Sequence, residues 1–542
     1  MVCRDGRARA VPSAAVAATE EAAPRRSFAR NTAIFSIATG LSRIAGLFRE
    51  ILASSYFGTS GQFSAFTIAF QVPNVVRSLF ADSALSAAFV PVFTELLEEK
   101  KKGEAFRLAS TLFLVLGAAL GALTALFILT AGLIIPLFTG DLSQPLQDLA
   151  VGLSRVLFPV VLILGLNGLV VGILNAYDHF TIPAISPLVW NVVIMVFLVV
   201  GHQTLHGDDQ LYAYAFGVLA GTVVQFLMAL PMLRRVGFHW EWSFDWRDPR
   251  VKRVFLLMLP VTLGLGLINF NVFANSILGA YVSEQAPRAI DAAFRVYMLP
   301  QGIFSVAIAT VLFPTLSRFA ARRDLDGLRS LVGNGLRLIC LLLLPAAAAT
   351  IVLAEPIIRL VYERGAFDEQ STDLVSTALF WFSFSLPFSG INLLLTRTFF
   401  SLQQPWMVTK LSVANLVVNI GASILLLPLG VGGVVAGTAI ADAAMAAAQF
   451  FYLRRLLGGR LELAQTVEPA IYMLIASVWF ALVAYTGFHL LDAVFGRSLV
   501  GQIIAVGGAL AAATATYVWI VLRLEIREAE QIRRLVATRL WQ

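Results

Sequence analysis

Long apolar stretches separated by short polar segments dominate the chain from residue 31 onward. They run at 31–56, 63–95, 107–138, 148–176, 183–201, 211–233, 253–281, 288–318, 328–354, 372–400, 407–428, 431–453, 467–490 and 499–522. Each is close to, or longer than, the ~20 apolar residues that carry a helix across a bilayer. The pattern predicts an all-α polytopic membrane protein with about fourteen transmembrane helices. The longest runs exceed one upright crossing and must tilt or protrude.

The runs repeat. AFQVPNVVRSLFADSALSAAFVPVFTELL parallels FRVYMLPQGIFSVAIATVLFPTLSRFA, with Pro73 falling on Pro300 at an offset of 227 and Pro91 on Pro314 at 223. SPLVWNVV around Asn191 matches LSVANLVV around Asn415 at 224. Six spans separate the copies, an even number, so the two lobes are parallel and related by an axis along the membrane normal. The predicted organisation is a disordered cytoplasmic tail (1–26), an N-lobe (27–235), a cytoplasmic linker (236–252) and a C-lobe (253–460). Two further helices (461–525) and a cytoplasmic tail (526–542) complete it.

Composition agrees: 58% of residues are hydrophobic and 13% charged, with mean hydropathy +0.80, against about 25% charged in soluble domains. The net charge of +7 invites a nucleic-acid reading, but the charges sit at helix ends. With the N-terminus inside, cytoplasmic segments hold 31 of the 40 Lys and Arg. Outer loops hold Arg288, Arg359, Arg364 and Arg497, and five arginines fall within spans. That bias places both termini in the cytoplasm. Cys3 and Cys340 form no disulfide framework, the five histidines lack metal-ligand spacing, and no P-loop or nucleophile triad is present.

Arg43, Arg49, Arg77, Arg155 and Arg295 are the in-span arginines. Each such residue costs roughly 2.5–3.5 kcal/mol near mid-bilayer on insertion scales. On the second span Gln71, Asn74, Ser78, Asp82 and Ser86 form one polar stripe at helical spacing, with Arg77 at its edge. Glu50 adds a carboxylate beside Arg49. One reading is a hydrated cationic cavity between the repeats for an anionic substrate, since a guanidinium matches phosphate oxygens bidentately. The other is that the arginines pair with Glu50, Asp82 or Asp291 and lock helices together. Asn415 and Asn419 on one span, with Thr438 and Asp442 on the next, form either an Na⁺ site or an inter-helix hydrogen-bond network.

SRIAGLFRE, FQVPNVVRSLFADSALSAAFVPVFTE, FRVYMLP…VLFPTLSR, LVYERGAF and FFSLQQPWMVTK together resemble the MurJ (MviN) lipid II flippases of the MOP transporter superfamily over residues 30–525. The resemblance implies alternating-access export of lipid II, the undecaprenyl-diphosphate-linked muropeptide, across the bacterial inner membrane. It implies that Arg43, Arg49, Arg77 and Arg295 hold the diphosphate, with Asn74 in the same cavity, and that the last two helices form a groove for the polyprenyl tail. The implied partners are lipid II and membrane lipids, with no nucleic acid. The implied state is a functional monomer near cell-wall synthases, without enzymatic chemistry or cofactor other than Na⁺. Ser64 and Met298 stand where the family often has acids, and Asn275 and Asn419 where it has sodium-linked aspartates. Asp442 is the carboxylate left to replace them. The alternatives are another MOP-type exporter, of polysaccharide-lipid or drugs, and a non-transporting envelope scaffold.

Overall fold

The computed structural model describes residues 37–80, 83–241, 244–458, 463–530 and 533. The N-terminal tail, Asp82 and most of the C-terminal tail lie outside them. Every regular element among the described residues is helical. Helix α1 (37–57) is the first expected span, and α2 (Gly61–Phe80) and α3 (Ser83–Glu98) form the second. Then come α4 (Lys102–Ile134), α5 (Gln144–Leu157), α6 (Pro159–Ala176), α7 (Thr181–Thr204) and α8 (Asp209–Arg235). The second half holds α9 (Pro249–Ala280), α10 (Ala286–Pro300), α11 (Val306–Ala321), α12 (Leu325–Val352), α13 (Ala354–Tyr362) and α14 (Glu369–Ser401). Helices α15 (Pro405–Leu425), α16 (Gly430–Leu456), α17 (Leu463–Phe495) and α18 (Leu499–Arg523) follow.

Among the described residues eleven helical segments are long and apolar enough to cross a membrane. The three expected spans outside that number are α1, α2–α3 and α9. Proline explains where long spans break. Pro159 opens α6 directly after Phe158, because a residue without an N–H fits a first helical turn but not the interior ladder. Pro300 closes α10, and a single π-helical turn (Gln301–Ser305) joins it to α11. The short α13 lies between spans and was not legible as a separate element.

Packing groups the helices. One core gathers α10–α16, from Ala286 to Leu457. Two others fill the first half, around Phe63, Phe127 and Phe158 and around Phe89, Phe93 and Phe106. A fourth joins α17 and α18 to α12 through Phe480, Phe488 and Leu341, with the Tyr517 hydroxyl donating to the Leu341 carbonyl at 2.8 Å. Helix α9 belongs to both halves. Val251, Val254, Met258, Phe273 and Ala280 enter the first-half cores, while its asparagines bond to α15 and α16.

The halves also clasp at the end of α1. The Ala366 N–H donates to the Ser55 carbonyl at 2.8 Å, and the Thr59 and Ser371 hydroxyls share a 2.8 Å hydrogen bond. Asp368 caps α14 by accepting from the Ser371 N–H at 2.8 Å, and that backbone bond lowers its carboxyl pKa. Gly58 and Gly365 make the approach feasible. Both have positive φ (+58° and +63°), and a Cβ on Gly365 would strike the Ser55 carbonyl while one on Gly58 would strike that of Ala366.

Gly365→Ala therefore combines left-handed strain, about 1–2 kcal/mol, with a backbone collision. Gly207→Ala, at φ +59° with open space around it, carries the strain alone. Thermal unfolding of the purified variants should lower the midpoint clearly more for Gly365→Ala. Equal shifts would mean that the clasp does not restrain the fold.

Candidate functional site

At the clasped end, α1 and α10 present charges to each other across a buried surface. Arg288, Asp291 and Arg295 recur at helical spacing, so α10 places all three on one face. Glu50 is 2% exposed and lies 2.5 Å from Arg288 Nη2 and 3.3 Å from Arg295 Nε. Asp291 Oδ2 completes the cluster at 3.1 Å from Arg288 Nη1 and 2.9 Å from Arg295 Nε. Arg288 also donates from Nη2 to Ser54 Oγ at 2.7 Å and from its backbone N–H to Ser64 Oγ at 3.3 Å, and its guanidinium covers Phe63 at 4.1 Å. Arg49 approaches Glu50 at 4.0 Å and stacks on Trp190 at 4.8 Å.

This corrects the sequence reading of Arg288 as an outer-loop residue. It is 1% exposed, because α10 begins at Ala286 with Pro287 in its first turn and so carries residue 288 onto the helix face that meets α1. Arg359, also assigned to a loop, is buried on α13 beside Glu355 and Glu363. The signal for Arg288 was present in its spacing from Asp291 and Arg295. Of the two readings left open for the arginines, pairing with Glu50 and Asp291 describes Arg49 and Arg295 here. Three guanidiniums face two carboxylates, so the cluster keeps one positive charge.

Arg77 lies elsewhere. A cavity of about 490 Å³ opens inside the first lobe among α2, α5, α6, α7 and α8, and Asn74 and Arg77 line it. Arg77 donates to Asn74 Oδ1 from Nε at 3.2 Å and from Nη2 at 2.8 Å, which fixes the guanidinium one turn along α2. The polar stripe of α2 thus divides. Gln71 is buried on the ion-cluster side, Asn74 faces the cavity, and Ser78 bonds back to the Val75 carbonyl at 2.7 Å. Arg43 is exposed, with its guanidinium beside Gly302 in the π turn. The wall between cavity and cluster is thin. Phe70 and Val218 line both, and the Trp190 ring that carries Arg49 lines the cavity. Trp190 Nε1 is anchored on Thr222 Oγ1 at 3.1 Å. Asn167, Trp190 and Gln225 were not singled out by sequence, where neutral groups inside apolar runs read as packing.

Asn415, Asn419, Thr438 and Asp442 are brought together, and two residues from α9 join them. Asn271 Nδ2 donates to Asn415 Oδ1 at 3.1 Å, and Asn275 Nδ2 to Thr438 Oγ1 at 2.8 Å. Asn419 Nδ2 donates to Asn271 Oδ1 and, at 3.1 Å, to Asn275 Oδ1, while its own Oδ1 accepts from Ser423 and Thr438. Asp442 accepts from Ser385 at 2.8 Å and from Asn415 at 3.3 Å, and Ser385 continues to the Tyr297 hydroxyl at 2.8 Å. Buried amides satisfy one another here, as inter-helix hydrogen bonding requires.

The family model described as "Lipid II flippase MurJ" matches residues 53–505. The chain is 30% identical over 397 residues to the lipid II flippase MurJ of Burkholderia cenocepacia, covering 72% of this chain and 77% of that protein. It is 28% identical over 520 residues to the probable lipid II flippase MurJ of Bdellovibrio bacteriovorus, covering 94% and 97%. The fold matches a lipid II flippase MurJ solved in an inward closed conformation, with TM-score 0.75, 23% identity and coverage of 91% and 99%. It also matches an inward-facing multidrug MATE transporter of the MOP superfamily, with TM-score 0.66, 15% identity and coverage of 77% and 94%. On the extent of the family match and these relatives, the chain belongs to the MurJ family of lipid II flippases.

Proposed function

We propose that this protein carries lipid II from the inner to the outer leaflet of the bacterial inner membrane, by alternating access and without covalent chemistry. The observation that carries the reading is the stacked arrangement of a cation-lined cavity and a cross-lobe ion cluster with one shared wall. With Arg288 and Arg359 removed from the loops, only Arg364 and Arg497 stand against the 31 cationic residues of the other side. This supports cytoplasmic termini and an outer location for the clasp.

Diphosphate oxygens compete with carboxylates for the same guanidiniums. A lipid headgroup held by Arg77 and reaching Arg49 or Arg295 replaces Glu50 and Asp291 as their partner. Each charge-assisted hydrogen bond contributes about 1.5–3 kcal/mol, so the exchange is nearly balanced for the arginines; it leaves Glu50 and Asp291 to Arg288 alone and so loosens the outer contact. Substrate occupancy and outer opening are linked in this way. Arg43, beside the π turn, is assigned to the same diphosphate.

Na⁺ is proposed to occupy the point now held by the Asn419 amide group. Two carbonyl oxygens, Asn271 Oδ1 and Asn275 Oδ1, already converge there. A half-turn of the Asn419 side chain adds a third oxygen, Thr438 Oγ1 lies in reach, and Asp442 supplies negative charge through Asn415. Bound there, the ion would tie α9 to α15 and α16.

Three outcomes test these assignments. In a cell where this chain is the sole lipid II flippase, Arg77→Ala should abolish growth and outer-leaflet lipid II while the protein still accumulates. Arg77→Lys should restore only part, since a point charge replaces a fork; full growth of the alanine variant would remove Arg77 from the diphosphate site. Thr59→Cys with Ser371→Cys should form a disulfide, because hydroxyls in hydrogen-bond contact bring the Cβ atoms near the ~3.5–4.5 Å a disulfide needs. Oxidation should stop export and a reductant should restore it; linked protein exporting at the wild-type rate would refute opening at the clasp. Asp442→Asn should lose most of any Na⁺-over-K⁺ stabilisation of the purified protein, which follows RT ln(1 + [L]/Kd). A wild type indifferent to that exchange would eliminate the site.

A further inference from the structure

We infer that the first-lobe cavity is a subsite for the amide-bearing sugar next to the diphosphate, with Asn167 and Gln225 as specificity-determining residues. The inference rests on the flippase reading and adds to it which part of the headgroup enters this lobe and what reads it.

Size and lining come first. At about 490 Å³ the cavity is within the roughly 300–1,000 Å³ range of small-molecule sites, which are mostly apolar with a few placed polar groups. Its lining has that character, with Leu157, Val160, Leu164 and Val171 beside Asn74, Arg77, Asn167, Ser186 and Gln225. One guanidinium is too little charge for a diphosphate alone. Neutral hydrogen-bonding groups and an aromatic ring next to a single cation suit an uncharged polar group joined to a phosphate.

Two observations show unmet hydrogen-bonding capacity at this wall. Asn167 is 3% exposed, yet its Oδ1 has no hydrogen-bond partner among the described residues. A buried unsatisfied amide oxygen is destabilising, a cost that apolar packing by leucine at the same place would avoid. Pro187 has no N–H, so the carbonyl of Pro183, another lining residue, lacks its helical partner four residues on. The asparagine side chain carries both a donor and an acceptor, its enclosed oxygen reaching the cavity on rotation of the amide, and the proline carbonyl is an acceptor. An acetamido group, with one N–H and one C=O, complements that set. Trp190 offers an apolar ring face to the sugar.

The placement also gives an order along the substrate. Arg77 lines the cavity from α2, and Phe70, Val218 and Trp190 stand between the cavity and Arg49. A sugar seated inside leaves the phosphate nearest Arg77 and directs the rest of the diphosphate toward the inter-lobe arginines.

The test compares two ligands that differ by the glycan. Purified wild type, Asn167→Leu, Gln225→Met and Arg77→Ala are titrated in detergent with lipid II and with undecaprenyl diphosphate, reading ligand-dependent shifts in the unfolding midpoint. Wild type should bind lipid II more tightly. Asn167→Leu, which keeps the branched shape without the polar atoms, and Gln225→Met should each weaken lipid II by roughly five- to tenfold, the scale of one neutral hydrogen bond, and leave undecaprenyl diphosphate unchanged. Arg77→Ala should weaken both. Equal losses for both ligands in the Asn167 and Gln225 variants, or no loss in either variant, would overturn the sugar assignment while leaving the diphosphate site intact. A wild type that binds neither ligand would overturn the flippase reading itself. Should one variant fail to accumulate, the other decides.

Discussion

A guanidinium inside a membrane protein cannot shed its proton and cannot be left alone. It needs anionic or carbonyl oxygens within reach, and the expense of burying it is recovered only when its partners are close and well aligned. Glu50 brings one carboxylate within ion-pair distance of three arginines, at 2.5 and 3.3 Å from Arg288 and Arg295 and 4.0 Å from Arg49, from a helix in one lobe to a helix in the other. Much else follows from this arrangement. The α1–α10 surface must be dry enough for the pairs to hold, Phe63 must cover Arg288, and the backbones at Gly58 and Gly365 must come close enough to exclude solvent. Because two carboxylates hold three guanidiniums, the contact between the lobes is only as strong as these pairs.

Much of the architecture was legible from the chain. The order of apolar runs, the repeat through Pro73 and Pro300 and the Lys/Arg asymmetry lead directly to an α-helical membrane protein in two related halves. The arginines of α1, α2 and α10 stood out because charge inside an apolar run has few explanations. Arg288 did not, since a charged residue near a span end looks like an ordinary loop cation. Only the close approach of α1 shows that the place is buried. The distribution of roles was also not readable. A stripe on α2 fixes which residues share a face, but whether that face meets another lobe at Gln71 or a cavity at Asn74 depends on packing of distant helices.

Neutral groups were the hardest to weigh. Asn167 and Gln225 sit in runs where a single amide reads as inter-helix glue, and nothing in their spacing distinguishes glue from recognition. The asparagines of α15 illustrate the opposite case: their one-turn spacing suggested a joint site, and the contributions of Asn271 and Asn275 emerged only from the position of α9. The two clusters differ in hydrogen-bond saturation. The α9–α15–α16 amides pair with one another and with Asp442, whereas Asn167 keeps an unused oxygen.

Helix α9 has a mechanical consequence. Its apolar residues at both ends are embedded in the first lobe, and Arg253 and Arg250 tie its start to Glu95 and Glu104 at 3.0 and 2.7 Å. On the second lobe it packs Leu278 against the apolar core and adds directional amide bonds from Asn271 and Asn275 in mid-span. Apolar interlocking resists sliding in every direction, while a few directional amide bonds resist separation but tolerate rotation about their line. The helix is therefore shared, gripping each lobe by packing and adding directional amide bonds toward the second. Any rocking that parts α1 from α10 has to carry α9 along or give up a row of asparagine bonds together with the Leu278 contact.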